Sequence, residues 1–447
     1  MRFSHYNILS SQTKEGKYVL LNGFTGLLDV IDKEAYDLIS SYAEADDLPP
    51  DVIESLSGIK EHFYERGYLT DLSYEKEIAA AKKKALELYA EYLKAEWDVV
   101  IVPTLACNYR CTYCFEKGSG YPTPSMSKNQ VDAIFRIIPD KIGSGERITL
   151  YGGEPLAKEN RHIVEYIVDK GREIGRTFFA VTNAHDLDHY MDLLGDGGIS
   201  TLQITVDGPK RIHDHRRIAL DKSSSYEKIM HNIEIVLHET TAAISLRINI
   251  DKRNVQYILE FLEDLEKRGI LDHKNLQLAA SPIVGVGDLR ITSDDIRKLE
   301  KESEERYPQL KDNFMSRTRT DNSNILASLY LGEIIHPKVA ACGAAGTTKI
   351  FTPEGKIYPC WGCIGQTDQV IGTYDESGNI IWNETVVENW RKNSIAYNEC
   401  LECKYAFLCG SGCRRPALPG ETTSHDYDCE YYRDLFADYL AKVVEHV

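Results

Sequence analysis

Cys107, Cys111 and Cys114 stand in a C-x3-C-x2-C spacing just after an apolar run that ends at Leu105. Three thiolates hold a four-iron, four-sulfur cluster by three corners and leave one iron open, whereas closed clusters and structural zinc sites take four ligands. An open iron is a place for chemistry. The other eight of the eleven cysteines fall in the last third of the chain: Cys342, Cys360, Cys363, Cys400, Cys403, Cys409, Cys413 and Cys429. They read Cys342-x12-Gly355-x4-Cys360, then Cys400-x2-Cys403-x5-Cys409-x3-Cys413, with Cys429 closing the set. Thiolate sets of this kind serve iron clusters and zinc alike, because C-x2-C pairs suit both. The chain shows no export signal at Met1, so reduced, metal-bound cysteines are expected rather than disulfides.

Such groups need a scaffold. From Trp97 to about residue 330 short apolar runs alternate with helical patterns. Val99 to Val102, Ile148 to Leu150, Phe178 to Val181, Leu202 to Val206, Ile244 to Ile250 and Leu276 to Ala280 suit buried parallel strands. Between them, Val131, Ile134, Phe135 and Ile138, and again Val255, Ile258, Leu259 and Leu262, recur at helical spacing and give each helix one apolar stripe. Six β/α units predict an α/β fold with a partial parallel (β/α)6 barrel over residues 97–330. Reacting groups collect at the C-terminal ends of barrel strands, and the cysteine loop follows the first one. The second strand runs into Tyr151-Gly152-Gly153-Glu154-Pro155, where the absence of Cβ atoms lets a bound molecule approach the backbone. Thr182 and Asn183 close the third strand, and Gln203, Asp207 and Arg217 fall within Leu202 to Arg217, the stretch that begins with the fourth. His213 and His215 flank Asp214 and read as a surface turn, since too few ligands converge for a metal. Gly285-Val286-Gly287 is too short a signal for a nucleotide site.

Residues 1–74 read as a separate unit. Lys17 to Leu21 and Phe24 to Ile31 flank Asn22-Gly23, a dipeptide suited to the tight turn of a β-hairpin. Helices are expected over Lys33 to Tyr42 and Asp51 to Tyr64, then a stop at Gly67 and a closing strand at Tyr68 to Thr70, a winged-helix pattern. Residues 75–96, rich in Ala, Lys, Glu and Leu, predict a linker helix with a solvated face.

The C-x3-C-x2-C loop, with aromatic Tyr113 before its last cysteine, resembles the signature of the radical S-adenosylmethionine (SAM) enzymes. The Gly152-Gly153-Glu154-Pro155 stretch, one unit later, is similar to that family's GGEP motif. The resemblance implies that SAM chelates the open iron and that one electron splits it into methionine and a 5'-deoxyadenosyl radical. It further implies SAM contacts from Thr182, Asn183, Gln203 and Asp207, and Arg217 as the grip on the methionine carboxylate, a task its planar fork suits. Residues 331–447 resemble the SPASM domain, which carries two auxiliary [4Fe-4S] clusters, for a total of three. By that likeness Cys400, Cys403, Cys409 and Cys429 hold one cluster, and Cys342, Cys360 and Cys413 most of the other. Cys363 either completes the latter set or leaves it a corner for a substrate thiolate; ligation is favoured, since a spare exposed thiol beside redox chemistry is easily oxidised.

Residues 1–74 resemble the recognition module (RRE) of enzymes that modify ribosomally made (RiPP) precursor peptides, where a leader peptide adds as a strand. Sulfatase-maturating relatives carry an aspartate after the cysteine matching Cys360, but here that position is Trp361. The closer resemblance is to RiPP maturases of the sactipeptide and ranthipeptide type. It implies hydrogen abstraction from an acceptor carbon, bonding of a cysteine sulfur there as a thioether, and a flavodoxin or ferredoxin as reductant. A carbon–carbon crosslink, a decarboxylation or sulfatase-type maturation is the alternative within the class. A passive electron carrier or a zinc-stabilised peptide adaptor is the alternative outside it. A net charge of −17 disfavours nucleic acid, and the sequence holds no apolar run of membrane-spanning length, so a cytoplasmic protein is expected.

Overall fold

The computed structural model describes residues 1–118, 125–143, 147–283, 287–310, 314, 325, 328, 331, 333–415 and 424–444. Six parallel strands form the wall of the barrel: β1 (Asp98–Ile101), β2 (Ile148–Leu150), β3 (Phe178–Thr182), β4 (Ile199–Thr205), β5 (Ala243–Ile250) and β6 (Leu276–Pro282). They lie side by side in chain order. This is the mixed α/β fold with a large, mostly parallel sheet that the alternating pattern predicts. Along β5, Ile244, Leu246, Ile248 and Ile250 are buried in the main core while Ser245, Arg247 and Asn249 take the opposite face. One side of the wall therefore holds the helices and the other side can carry polar groups.

One helix keeps its expected stripe and the other shifts it. Ser127 and Gln130 close a capping box on Lys128–Ile137, whose Val131, Ile134 and Phe135 are buried. Around Ile258 the first turn is a tighter 3-10 turn (Val255–Tyr257), so Ile258, Phe261, Leu262 and Leu265 of Ile258–Lys267 become the buried stripe.

The sheet does not end with β1. Thr348–Phe351 pairs with it in parallel, and Lys356–Tyr358, Gly372–Tyr374 and Ile380–Trp382 add antiparallel strands to give ten in all. The cysteine-rich segment is thus joined by backbone hydrogen bonds to the strand that launches the cysteine loop. The later barrel residues 284–286, 311–313 and 315–324, with most of 326–332, lie outside the described residues, and with them most of the Gly285-Val286-Gly287 turn.

The N-terminal unit has a three-stranded antiparallel sheet (Asn7–Leu9, Tyr18–Asn22, Leu27–Ile31) and its own core around Phe3, Leu20, Ile39, Phe63 and Tyr68. Two local expectations are corrected. The hairpin does not turn at Asn22-Gly23: Asn22 pairs with Leu27, its side chain accepts from the Phe24 and Thr25 amides, and the left-handed residue is Gly26. The helix expected over 51–64 is two, Pro50–Ser55 and Lys60–Glu65. The strand Leu69–Thr70 pairs with Arg2–Phe3. Helix Tyr74–Tyr92 is capped by Ser73 and lays Ala81, Ala85 and Tyr89 against Phe407 and Ile395 of the C-terminal segment. Among the described residues no helix is long and apolar enough to cross a membrane.

Candidate active site

The cysteine loop is held from two sides. Tyr109–Cys111 forms a short antiparallel ribbon with Arg217–Ala219, placing Cys111 opposite Arg217. The amide of Glu154 donates to the Ala106 carbonyl (2.8 Å), so the loop after β2 lies along the loop after β1. Burial pushes the Cys107 thiol up to about 12, with Glu154 the next cause, and the Cys114 thiol up to about 11, with Glu116 next. Burial raises Cys111 as well. All eleven cysteines are free thiols. Buried thiols of this kind become thiolates when a metal takes the place of their protons. Among the described residues no three His, Cys, Asp or Glu side chains converge as a single ion requires. A four-iron cluster spreads its thiolates over separate irons, and this donor set fits it better than it fits zinc.

Gly152 and Gly153 both have left-handed backbones (φ +87° and +52°). A Cβ on Gly153 would stand 2.2 Å from the Ala106 carbonyl oxygen, and one on Gly152 would stand 2.5 Å from Val102 Cγ1. The glycines are what let the two loops touch. Gly153 N donates to Glu116 Oε2 at 2.9 Å. Glu154 is 2% exposed and accepts from Thr182 Oγ1 (2.5 Å), Asn183 N (2.6 Å) and Leu156 N (2.9 Å). Burial pushes it up to about 7 against those three bonds. Thr182 and Asn183 are therefore committed first to fixing Glu154, and the Asn183 side chain also donates to Asn108 in the cysteine loop (2.6 Å). The Pro155 carbonyl faces the Asn160 amide.

Around the end of β4 the arrangement departs from expectation. His213 is no surface residue: it lies in helix Lys210–Arg216, fully buried, and its Nδ1 accepts from the Asp207 amide (3.3 Å). Burial holds it well below the usual histidine range. Asp214 instead accepts from Ser224, Ser225 and the Tyr226 amide and opens the helix Ser225–Glu239. Asp207 is fully buried and receives Arg216, which also reaches the fully buried Asp251. Arg217 is 7% exposed, donates to the Tyr113 hydroxyl (3.0 Å), and leaves its Nε buried without a partner. Gln203 lies on β4 on the face opposite Leu202 and Ile204. Glu116, Asn108, Arg216, Asp251 and Asn249 were not among the expected site residues. Only the charge of Arg216 next to Arg217 offered any sign in the sequence.

The C-terminal cysteines fall into two groups. Burial pushes Cys342 up to about 11, with Cys360 and Cys413 among the further causes; Cys360 contacts the fully buried Cys363. Burial raises the Cys429 thiol, with Cys400 and Cys403 among the further causes. Arg414 donates to Cys400 Sγ (2.7 Å), and the His425 ring reaches Cys429 Sγ at 3.3 Å. Cys409 ends the short helix Ala406–Cys409.

A barrel wall of β/α units with three free thiols and a glycine cradle at its C-terminal end defines a class. The Radical SAM superfamily matches residues 101–265, so the chain carries a radical SAM domain. More particularly, a cysteine-type anaerobic sulfatase-maturating enzyme of Clostridium novyi (strain NT) is 23% identical over 358 residues, spanning 75% of this chain and 93% of that protein. The solved structure of native anSMEcpe with bound AdoMet and Kp18Cys peptide shares the fold, with a TM-score of 0.58 at 15% identity over 78% of this chain and 99% of that one. Streptococcus suis SuiB bound to precursor peptide SuiA aligns over 92% of this chain and 95% of its own, with 15% identity and a TM-score of 0.48.

Gly153→Ala is expected to lower reductive SAM cleavage by about 100-fold, because displacing the cysteine loop by about 1 Å misaligns the reacting groups. Its far-ultraviolet spectrum should match the parent. Parent-like cleavage would mean that the loops need not touch.

Proposed function

We propose that this chain is a radical SAM peptide maturase that installs cysteine-to-carbon thioether crosslinks in a ribosomally made precursor. Supporting this reading, the residue after Cys360 is Trp361, whose ring stands edge-on to Tyr151 at 4.4 Å between centroids. An aromatic wall thus occupies the position that sulfatase maturases give to an acid. The N-terminal unit would take the leader peptide as an added strand.

Cys107, Cys111 and Cys114 would hold the SAM-binding cluster; Cys342, Cys360, Cys363 and Cys413, and Cys400, Cys403, Cys409 and Cys429, would hold the two others. Gly152 to Pro155, Thr182, Asn183, Gln203 and Asp207 would line the SAM site. When bound, cluster and SAM supply one-electron cleavage and hence hydrogen abstraction. The buried Nε of Arg217 is a donor awaiting an acceptor, as a carboxylate grip requires. Glu154 fixes the ends of β2 and β3 relative to each other, and the Trp361 and Tyr151 rings pack against each other where the C-terminal segment meets the loop after β2.

Co-expression with a neighbouring short precursor should give a product lighter by two hydrogens per crosslink, with the bridged thiols inert to alkylation. Loss of carbon dioxide, or a product joined only carbon to carbon, rejects the thioether. A second reading, sulfatase-type maturation, is favoured by the identity with the Clostridium novyi enzyme; it predicts oxidation of a lone peptide cysteine to an aldehyde. No 5'-deoxyadenosine with dithionite would leave an electron carrier, and no cluster absorbance near ~400 nm would leave a zinc adaptor.

A further inference from the structure

Arg247 sits on β5 between Thr205 of β4 and Ala279 of β6, on the face of the wall opposite the helices. Its Nε donates to Asn249 Oδ1 (2.8 Å), and no carboxylate of the described residues pairs with it. Burial holds it below the usual arginine value. The nearby acids are engaged elsewhere. Asp207 receives Arg216 and the Asn249 amide, and Glu154 receives Thr182, Asn183 and Leu156. Arg247 is only partly buried, so its guanidinium, without a carboxylate partner among the described residues, stays open to an anion from outside the chain.

Two cations are linked here through the Tyr113 hydroxyl and the Asn249 side chain. Tyr113, in the cysteine loop, accepts from Arg217 (3.0 Å) and from Asn249 Nδ2 (3.3 Å), and Asn249 in turn holds Arg247. SAM brings one carboxylate, and Arg217, opposite Cys111, is the arginine beside the cysteine loop. Arg247 remains for the substrate. We propose that Arg247 binds a carboxylate of the peptide substrate, so that the enzyme selects an Asp, a Glu or a free C-terminus beside the residue it attacks. This rests on the peptide-maturase reading and narrows its substrate class. Hydrogen bonding of the Arg247 fork by Asn249 fixes its plane, which makes two-point recognition of a carboxylate the favoured mode.

The test is binding without turnover. The full chain, reconstituted with clusters and SAM under anaerobic conditions, is titrated calorimetrically with Ac-Gly-Cys-Gly-Gly-Asp-Gly-NH2 and with its Asn twin, both with blocked ends. The Asp peptide should bind about tenfold tighter or better, the scale of a hydrogen bond to a charged group. Arg247→Gln should erase the difference, and Arg247→Lys should keep part of it. Equal affinity of the two peptides for the parent, absence of binding by both, or an undiminished preference in Arg247→Gln overturns the proposal. If Arg247→Gln fails to fold, the parent pair and Arg247→Lys still decide. A product without a thioether would reject the thioether reading while leaving this binding ratio intact, so the two failures are told apart.

Discussion

Cys107→Ala is expected to reduce dithionite-dependent formation of 5'-deoxyadenosine to background, with iron content lower by one cluster. Two thiolates cannot retain a cluster that three hold by separate corners. The fold has little to lose. The Cys107 sulfur accepts one weak bond, from the Tyr109 amide at 3.4 Å, and the side chain is only partly buried. The loop keeps its other anchors: the ribbon with Arg217–Ala219 and the Glu154 amide on Ala106. The melting temperature of the metal-free protein should therefore stay close to the parent's, which separates loss of chemistry from loss of structure. Persisting cleavage of SAM would remove the open-cornered cluster from the site.

Arg216→Met should be the most destabilising single change near the site, at about 3–5 kcal/mol, the usual cost of stranding a buried charge. Arg216 reaches Asp207 at 3.2 Å, Asp251 at 2.9 Å and the Asn249 carbonyl at 3.2 Å. Both aspartates are fully buried. Without the guanidinium, Asp207 keeps the Asn249 amide but loses its ion pair, while Asp251 keeps Arg253. The guanidinium also lies 5.1 Å from the centre of the Tyr113 ring, so its loss loosens the aromatic residue of the cysteine loop. Urea unfolding of the metal-free chain measures the cost. The variant Arg216→Met with Asp207→Asn and Asp251→Asn should recover part of it, since neutral amides suffer less from burial. An unchanged midpoint in Arg216→Met would show the triad to be solvated.

The barrel was legible because its signals are local. Each of the six strands coincides within a few residues with an apolar run, and the stripe of Val131, Ile134, Phe135 and Ile138 needs only helical periodicity. The cysteine loop and the Gly152-Gly153 turn were equally plain, since they depend on residue type and spacing along one stretch. Failures occurred where distant contacts outweigh local preference. Asn22-Gly23 has the chemistry of a two-residue turn, but Asn22 is bound by Gly67, Asn7 and Ser4, which draws the turn out to Gly26. His213 looks like part of a polar surface run, yet the Asp207 amide and the Tyr226 ring enclose it.

The sequence by itself determined the chemistry that the chain carries: three thiols after the first strand, a glycine pair after the second, and eight further cysteines in ordered spacing. Only the tertiary structure decided how these are supported. Pairing of Thr348–Phe351 with Asp98–Ile101, about 250 residues apart, ties the two cysteine regions into one sheet. The partners of Arg216, Glu154 and Arg247 were likewise settled only by folding. Motif spacing is written along the backbone, whereas compensation of a buried charge depends on what the fold brings within about 3–4 Å of it.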